Sequence, residues 1–557
     1  MRRLLECVPN FSEGRDMGII KQITDAIESV EGVRLLDVDP GKATNRTVVT
    51  FVGEPEPVAE AAYRAIAKAA ELIDMRRHEG EHPRMGATDV CPFVPISGVT
   101  MEEAAAVSRQ VARRVGETLG IPVFLYEHSA TDPRWKSLSN IRAGEYEKMA
   151  EKLSGNDFVP DFGPRKLSEK SGVTAIGARD FLIAYNVNLN TTSVRRANSV
   201  AFDVRENGRV KTDAAGKPLM GPDGQPERQP GTCPTVAGMG WFIEEYGIAQ
   251  VSMNLKNVRV TPVHVAFDEC CRSAESRGMR VTGSELVGLT PLNVLLDAGR
   301  YFLKKQRRSA GVSEAELVKI AVKSLGLDDL TPFDPRKKVI EYLLEDNARN
   351  PLAAMDLRRF ADETASESPA PGGGSISAYL GALGASLATM VANLSSHKKG
   401  WDDRWEEFSD WAERGQRLKD RLLALVDEDT RAFNGIMAAF QMPKDTPEAK
   451  SARKTAIQAA TRRAIETPLE VMRLSAESFA LIRAMAEKGN PNSVSDAAVG
   501  ALCARSAVLG AWLNVKINAD GFEDQAFLDE VLAEGRRLAD EAVRHESEIL
   551  ALSKLLP

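Results

Sequence analysis

Two periodicities divide the chain near residue 340. Before it, short runs rich in β-branched and aromatic residues alternate with longer segments whose apolar positions recur about every 3.6 residues. The short runs include VRLLDV (33–38), RTVVTFVG (46–53), PVFLYEH (122–128), FLIAYNVNL (181–189) and AQVSMNL (249–255), and the longer segments include 57–73 and 101–120. That alternation predicts layered α/β architecture. Beyond residue 340 the strand-like runs stop, and 403–433, 450–489 and 522–556 all carry the helical period. Two unlike units are fused, the second all-α. The polar stretch EDNARNPLAAMD (345–356) reads as the linker, with Pro351 marking where a helix breaks. Residues 206–232, rich in Gly and Pro and poor in apolar side chains, read as an extended surface insertion.

One helical stretch differs from the rest. Residues 368–396, SPAPGGGSISAYLGALGASLATMVANLSS, hold no charged side chain, a length that suits a membrane span. Gly, Ala and Ser dominate it, however, with few Leu, Ile or Phe. The expectation is no transmembrane segment but a helix packed on all sides, where small residues permit close approach.

Composition narrows the function. The 557 residues exceed one core and suit roughly three domains of ordinary size. A net charge of −7 argues against a nucleic-acid partner, because affinity for phosphate backbones rests on clustered Lys and Arg. A small-molecule partner is expected. Six cysteines (Cys7, Cys91, Cys233, Cys270, Cys271, Cys503) form no CxxC pair and no regular spacing, so neither a metal site nor a disulfide framework is indicated, and a reducing cytoplasm fits. The N-terminal residues lack an apolar core long enough for a signal peptide.

Candidate chemistry gathers where strands end in loops. LLECVPNFSEG reads as a strand leaving into a loop at Asn10 and Ser12; LLDVDPGKATNR reads as a strand ending at Asp39, a turn through Pro40 and Gly41, and a return near Arg46. EHPRMGATDVCPFVP (81–95) supplies His82. Asn10, Asp39, Asn45, Arg46 and His82 can converge on one cleft. Each has a structural alternative: turn formers for Asn10 and Asp39, a surface ion pair for Arg46, a loop residue bonded to backbone for His82. No second His or Cys lies at ligand spacing to His82.

These segments, with NIRAGEYE, DFGPRK and GARDFLIAYNVNL, resemble the glutamate formimidoyltransferase family. SPAPGGGSISA and LVDEDTRAF resemble its fused partner, formimidoyltetrahydrofolate cyclodeaminase. The resemblance runs nearly the whole length in the right order. It implies a multidomain fold of two α/β transferase subdomains (1–181 and 182–340), a linker (341–355) and a helical-bundle cyclodeaminase domain (356–557). It also implies a cytoplasmic homo-oligomer of histidine degradation. Such an enzyme moves the formimidoyl group of N-formimidoyl-L-glutamate to tetrahydrofolate, its cosubstrate in polyglutamylated form, and then closes the product to 5,10-methenyltetrahydrofolate with loss of ammonia, without a metal.

The resemblance also assigns residues. The family's catalytic histidine matches His82, and an imidazole titrating near neutrality suits a base that takes the N5 proton and an acid that returns one to the departing glutamate nitrogen. Asp39 is then an orienting or charge-stabilising carboxylate. Arg46, Arg84 and Arg142 become candidate hosts for substrate carboxylates, with a structural ion pair as each one's alternative. The family's folate loop matches Gly163, Pro164, Arg165, Lys166, Leu167, Ser168, Glu169, Lys170, Ser171 and Gly172. Read from its residues alone, this glycine-bounded cationic loop suits an anionic ligand or serves as a connector.

In the helical half, a wheel over 421–440 sets Leu422, Leu425, Val426, Ala432, Phe433, Ile436 and Phe440 within about 60° of Asp429. Asp429 then faces the core, where burial raises a carboxyl's pKa and suits it to acid/base work, while Asp427 and Glu428 point to flank and solvent. The family's catalytic aspartate matches Asp429. On the helix over 495–518, Asp496, Gly500, Cys503, Ala507, Gly510, Ala511, Asn514 and Asn518 share a mostly small stripe, and Ser493 with Asp496 resembles a capping box. Gly372, Gly373 and Gly374 can present amides to an anion or make a tight start to a helix. The competing readings are a transferase whose helical half only holds folate or assembles subunits, and a non-catalytic folate-binding protein.

Overall fold

The alternating runs of the first half become the strands of two sheets. The computed structural model describes residues 3–42, 44–80, 82–222, 224–344 and 351–554. Contacts group the chain into two units, 1–294 with 325–343, and 295–324 with 344–557. Of the linker expected over 341–355, residues 345–350 lie outside the described residues.

In the first unit, β1 (Leu4–Cys7), β2 (Asn10–Phe11), β3 (Val33–Gly41), β4 (Arg46–Gly53), β5 (Thr88–Ser97), β6 (Val123–Glu127) and β7 (Thr174–Ala178) form one mixed sheet. β1 and β2 both lie between β4 and β5; β3 flanks β4, and β7 then β6 follow β5. The β5–β7 and β7–β6 pairs are parallel and the others antiparallel. Helices α1 (Met17–Glu28), α2 (Pro55–Leu72) and α3 (Met101–Leu119) bury one face, packing Ile23, Ile66 and Val111 over Leu5, Cys7, Phe51 and Phe93. At the β6 end of the opposite face, α4 (Leu138–Arg142) and α5 (Glu145–Ser154) cover Phe124 and Tyr126 with Ile141 and Met149.

Two details differ from the sequence reading. Asn10 does not enter a loop: after Val8 and Pro9 the chain pairs again with β4 and β5. Pro40 and Gly41 continue β3 rather than turning out of it. β3 pairs only with β4, and an edge position lets Pro40 lack its N–H without breaking a central ladder. The proline-punctuated stretch 88–97 is a central strand; Pro95 sits where its register with β1 shifts.

The second sheet is antiparallel, in the order β11-β12-β8-β13: β8 (Ile183–Leu189), β11 (Val236–Ile243), β12 (Ile248–Leu255) and β13 (Val281–Val287). α6 (Val194–Val204) and α7 (Val263–Glu275) accompany it. The insertion carries the short pair β9 (Arg209–Val210) and β10 (Arg228–Gln229) and is largely exposed, as its composition suggests. α10 (Pro335–Lys338) and α11 (Ile340–Leu344) end this half.

The second unit is helical: α8 (Leu292–Lys305), α9 (Glu314–Leu325), α12 (Leu357–Thr364), α13 (Gly373–Ser396), α14 (Trp405–Phe440), α15 (Pro447–Lys488), α16 (Val494–Ala519) and α17 (Gln525–Ser553). Residues 295–324, which the sequence reading placed in 182–340, group with this unit. α13 and the run 491–519 are long and apolar enough to cross a membrane, but α13 is a core helix, with 61% of its most apolar stretch buried. Its small residues explain that position. A Cβ on Gly384 would stand 2.9 Å from the Gly500 carbonyl oxygen of α16, an approach only glycine allows.

Candidate active sites

A cavity of about 440 Å³ lies between the helix-free part of the first sheet and the second sheet. Strand alternation builds its floor, because side chains two residues apart share a face. Glu6, Val8 and Asn10 come from β1, the link after it and β2, Asp37, Asp39 and Gly41 from β3, and Arg46, Val48 and Thr50 from β4. Register aligns them: Asn10 and Asp39 both stand opposite Val48, and so lie in one row across three strands. His82 enters from the loop before β5, Arg179 from the crossover between sheets, and Ala184, Asn254 and Val287 from the second sheet. Thus Asn10, Asp39, Arg46 and His82 share one cavity. Asn45 braces the rim instead, accepting from the Gly14 amide at 3.0 Å and donating to the Glu79 carbonyl at 2.8 Å.

Arg46 is not a surface residue; it is 8% exposed. Its Nη1 meets Asp89 Oδ2 at 2.6 Å and its Nε donates to Asn10 Oδ1 at 3.2 Å. Arg142 Nη2 reaches the same Asp89 oxygen at 2.6 Å, while the Met85 amide donates to Oδ1 at 3.0 Å. Burial alone would raise the pKa of Asp89, but the Arg46 and Arg142 charges outweigh it and hold the carboxyl below its usual range. Two guanidiniums on one carboxylate leave a positive charge in surplus at the cavity wall.

His82 responds to that charge. Burial, then the Arg46 and Arg142 charges, lower its pKa, against smaller opposition from the Pro83 carbonyl and Asp89. The ring is therefore neutral at physiological pH. Its Nδ1 is 2.7 Å from the Pro83 carbonyl oxygen, which can only accept, so Nδ1 carries the proton and Nε2 keeps its lone pair. That is the tautomer of a general base.

Other expected residues stand elsewhere. Arg84 does not line the cavity: it donates to Glu145 at 3.1 Å, to Glu147 at 2.6 Å and to His78 Nδ1 at 3.2 Å. It braces the segment that carries His82. Arg142 acts on the cavity only through Asp89. No residue of 163–172 lines the cavity either. Arg165 donates to the Leu153 carbonyl at 3.1 Å and to that of Gly155, Lys170 to the Glu71 carbonyl, and Gly172 closes a turn on the Ser168 carbonyl at 2.6 Å. Leu167 packs on the aromatic cluster, the Glu169 carbonyl accepts from Tyr146, and Lys166 is exposed. The Ser171 carbonyl accepts from the Ala87 amide at 2.8 Å, which lays the loop beside the segment after His82.

Sequence reasoning missed four residues here: Asp89, Glu6, Asp37 and Arg179. Glu6 is 2% exposed, and burial, reinforced by Glu341 and opposed by Arg179, pushes its carboxyl up to about 7. Asp37 is raised chiefly by burial, with Asp39 adding and Lys338 opposing. The signals existed: an acid alternating with apolar neighbours in LLEC, and a second one two positions before Asp39 in the same strand.

The helical unit presents a simpler site. Asp429 lies over the first turn of α13, where a Cβ on Gly374 would stand 2.1 Å from its Oδ1. The anion received by the triple-glycine start of α13 is thus this carboxylate. Ser375 Oγ is 2.8 Å from the Val426 carbonyl and 3.1 Å from Asp429 Oδ2, so its one proton serves either acceptor in turn. Burial raises the Asp429 pKa and the Ser375 hydrogen bonds oppose it, leaving it above the ordinary value. Asn514 flanks Gly373, while Asn518 donates to the Ala464 carbonyl at 2.8 Å. Asp496 is half-buried, and Ser493 makes no capping bond.

Two expectations about α14 fail. Asp427 does not face flank or solvent; it is 2% exposed and takes the amides of Leu352 and Ala353 at 3.0 Å each. A wheel shows which way a side chain points but not what covers it, and here the segment after Pro351 covers that face. Phe433 and Phe440 are 41% and 50% exposed, because the last turns of α14 are largely solvent-exposed. Glu428 pairs with Arg421 at 2.6 Å.

Comparisons with known proteins divide the chain into the same α/β and helical halves, except that residues 295–324 fall within the formiminotransferase match. Family models described as "Formiminotransferase domain, N-terminal subdomain", "Formiminotransferase domain" and "Formiminotransferase-cyclodeaminase" match residues 4–179, 184–345 and 356–537. The formimidoyltransferase-cyclodeaminase of Rattus norvegicus is 41% identical over 95% of this chain and 94% of its own. The chain belongs to the formimidoyltransferase-cyclodeaminase family. Its first half is also 41% identical to the glutamate formimidoyltransferase of Streptococcus pyogenes, covering 55% of this chain and 94% of that protein. The methenyltetrahydrofolate cyclohydrolase of Methylorubrum extorquens matches 33% of this chain and 89% of its own length at 39% identity. The chain is accordingly a bifunctional folate enzyme, a formimidoyltransferase in its α/β half and a cyclodeaminase in its helical half.

Proposed function

We propose that the cavity between the two sheets is the transferase site, with His82 as its base, and that Asp429 is the acid/base group of the cyclodeaminase. The observation that carries the first assignment is a neutral imidazole with its Nε2 lone pair available, in a cavity that holds both a surplus cation and three carboxyls. N-formimidoyl-L-glutamate has the complementary charges. Its amidine is cationic at neutral pH and suits Asp39 and Asp37; its carboxylates suit Arg46 and Arg179. Asn10 orients Arg46, Arg142 acts through Asp89, and Arg84 positions the His82 loop.

Transfer follows from that arrangement. N5 of tetrahydrofolate attacks the amidine carbon, His82 Nε2 takes the N5 proton, and a tetrahedral centre forms. A second proton must reach the glutamate nitrogen before it departs. The folate tail, polyglutamylated, runs toward residues 163–172, whose family role and exposed Lys166 support the reading. In the second reaction N10 attacks the formimidoyl carbon and Asp429 moves the proton to the leaving ammonia. Both steps are proton transfers at an amidine carbon, which side chains supply without a metal.

The enzyme works in the cytoplasm of histidine degradation as a homo-oligomer. Its six free cysteines and the exposed apolar residues Leu513 and Ile517 on α16 support this. Supplying formimidoylglutamate and tetrahydrofolate to the purified chain tests the whole reading. Glutamate release and methenyl absorbance are both expected; release without methenyl product would leave a transferase alone, and neither would overturn the function.

A further inference from the structure

The second proton of the transfer reaction lacks a dedicated donor in the family-based assignment, which gives both transfers to His82. The structure supplies another group. Glu6 lies on β1 between β4 and β5, opposite Val52 and Val94, and strand alternation turns it away from the apolar core that holds Leu5 and Cys7. It thereby joins the floor of the cavity that His82 enters from the loop side. A carboxyl this deeply buried needs a partner or a proton. Among the described residues no protein donor hydrogen-bonds its oxygens, and Arg179 on the same wall acts on it only as a nearby charge. The other buried acid of the site, Asp89, is held by two guanidiniums and a backbone amide and is not free to trade a proton.

We propose that Glu6 is the general acid of formimidoyl transfer, donating its proton to the glutamate nitrogen as that nitrogen leaves. The inference rests on the cavity being the transferase site. The step balances. The C–N5 bond forms as His82 takes the N5 proton. The Glu6 carboxyl then protonates the glutamate nitrogen, the carbon–nitrogen bond to glutamate breaks, and the electron pair on a remaining nitrogen restores the amidine. The products are 5-formimidoyltetrahydrofolate, glutamate with a free amine, protonated His82 and ionised Glu6. Arg179 stabilises the new carboxylate, and a proton passing from His82 to Glu6 through solvent resets the site.

The charges that face Glu6 bear on when it holds its proton. Arg179 favours ionisation, Glu341 opposes it, and burial opposes it most; Asp37, Asp39, Arg46 and His82 share the cavity wall. The acid must be protonated while His82 is not, so wild-type kcat/KM should follow a bell with its alkaline limb near pH 7.

Full-length Glu6→Gln, assayed from pH 5.5 to 9 beside His82→Ala, tests the proposal. Expected for Glu6→Gln is a fall in kcat of about 100-fold, KM for both substrates within about threefold, and loss of the alkaline limb. Glu6→Asp should recover part of the rate and the limb. Urea denaturation followed in the α/β half serves as the folding control. A raised KM with unchanged kcat would make Glu6 a binding residue and overturn the proposal, as would normal kcat with His82→Ala inactive. Normal transfer by both variants would instead overturn the site assignment. Should Glu6→Gln fail to fold, a wild-type kcat/KM profile flat from pH 6 to 9 overturns the acid role by itself.

Discussion

The cavity proposed for transfer and the Asp429 site proposed for cyclodeamination are assigned the same kind of proton transfer at an amidine carbon, yet they are built in opposite ways. In the cavity, three strands, one loop and one crossover contribute ionisable groups far apart in sequence, and neighbouring charges act beside burial on each one's state: two arginines hold Asp89 ionised, and burial together with the same two charges keeps His82 neutral. In the bundle, a single carboxylate lies over a glycine-lined helix start, and burial against Ser375 sets its state almost alone. A sheet site depends on register and neighbours; a helix site depends on one face and its cover. Damage to one charge should therefore spread through the cavity but stay local in the bundle.

The sharpest test of that contrast is a double dissociation. His82→Ala should cut formimidoyl transfer by about 10²–10⁴-fold and spare cyclodeamination of supplied 5-formimidoyltetrahydrofolate. Asp429→Asn should do the reverse, accumulating 5-formimidoyltetrahydrofolate without methenyl absorbance. Because a raised carboxyl pKa opposes folding once pH exceeds it, the Asp429→Asn melt at neutral pH should match or exceed the parent's. Methenyl product at the parent rate from a folded Asp429→Asn protein would refute the catalytic role and reopen Asp427 and Asp496.

Next in size is Asp89→Asn, which leaves Arg46 and Arg142 buried without their counter-charge. A loss of about 3–5 kcal/mol is expected from urea denaturation followed in the α/β half. Transfer should fall with it as Arg46 and His82 lose their geometry. Unchanged stability would show that the cluster does not hold this wall together.

A smaller effect separates the two burial regimes by pH. The folded Glu6 carboxyl sits at about 7 against an ordinary value of 4.5, so the folded state binds the proton more tightly. The stability this group contributes is fully present below pH 4.5 and is lost as pH rises through 7, about 3 kcal/mol in all. Urea midpoints at pH 4.5 and 8 should differ less in Glu6→Gln than in the parent. Identical differences would mean that Glu6 is not protonated in the folded state.

The smallest effect concerns the loop. Replacing Arg165, Lys166 and Lys170 by Ala should raise KM for tetrahydrofolate only a few-fold, since exposed ion pairs contribute about 0.2–1 kcal/mol each. The rise should grow with polyglutamate length. Equal KM values for mono- and polyglutamylated folate in parent and variant would reduce the loop to a connector.

How much of this was legible depends on the element. The change from strand-and-helix alternation to a continuous helical period is local, and it placed the α/β and all-α halves before any contact was known. The wheel on α14 found Asp429, because one helix carries its own periodicity. Reading strand ends as site positions brought Asn10, Asp39, Asn45, Arg46 and His82 forward, and all but Asn45 line one cavity. Glu6 and Asp37 were missed although they alternate in the strands that carry Asn10 and Asp39. An isolated acid in an apolar run says nothing of whether its face meets solvent, a helix or a second sheet.

By itself the sequence determined which segments are helix or strand and which side of each is apolar, since those depend on residue spacing along a few turns or pleats. Tertiary structure alone decided pairing and cover. It set Asn10 and Asp39 opposite Val48, gave Arg46 and Arg142 the same Asp89, took Arg84 out of the cavity, and buried Asp427 under residues 352–353. Charge states follow from those long-range contacts, because burial and neighbouring charge, not residue type, move a pKa.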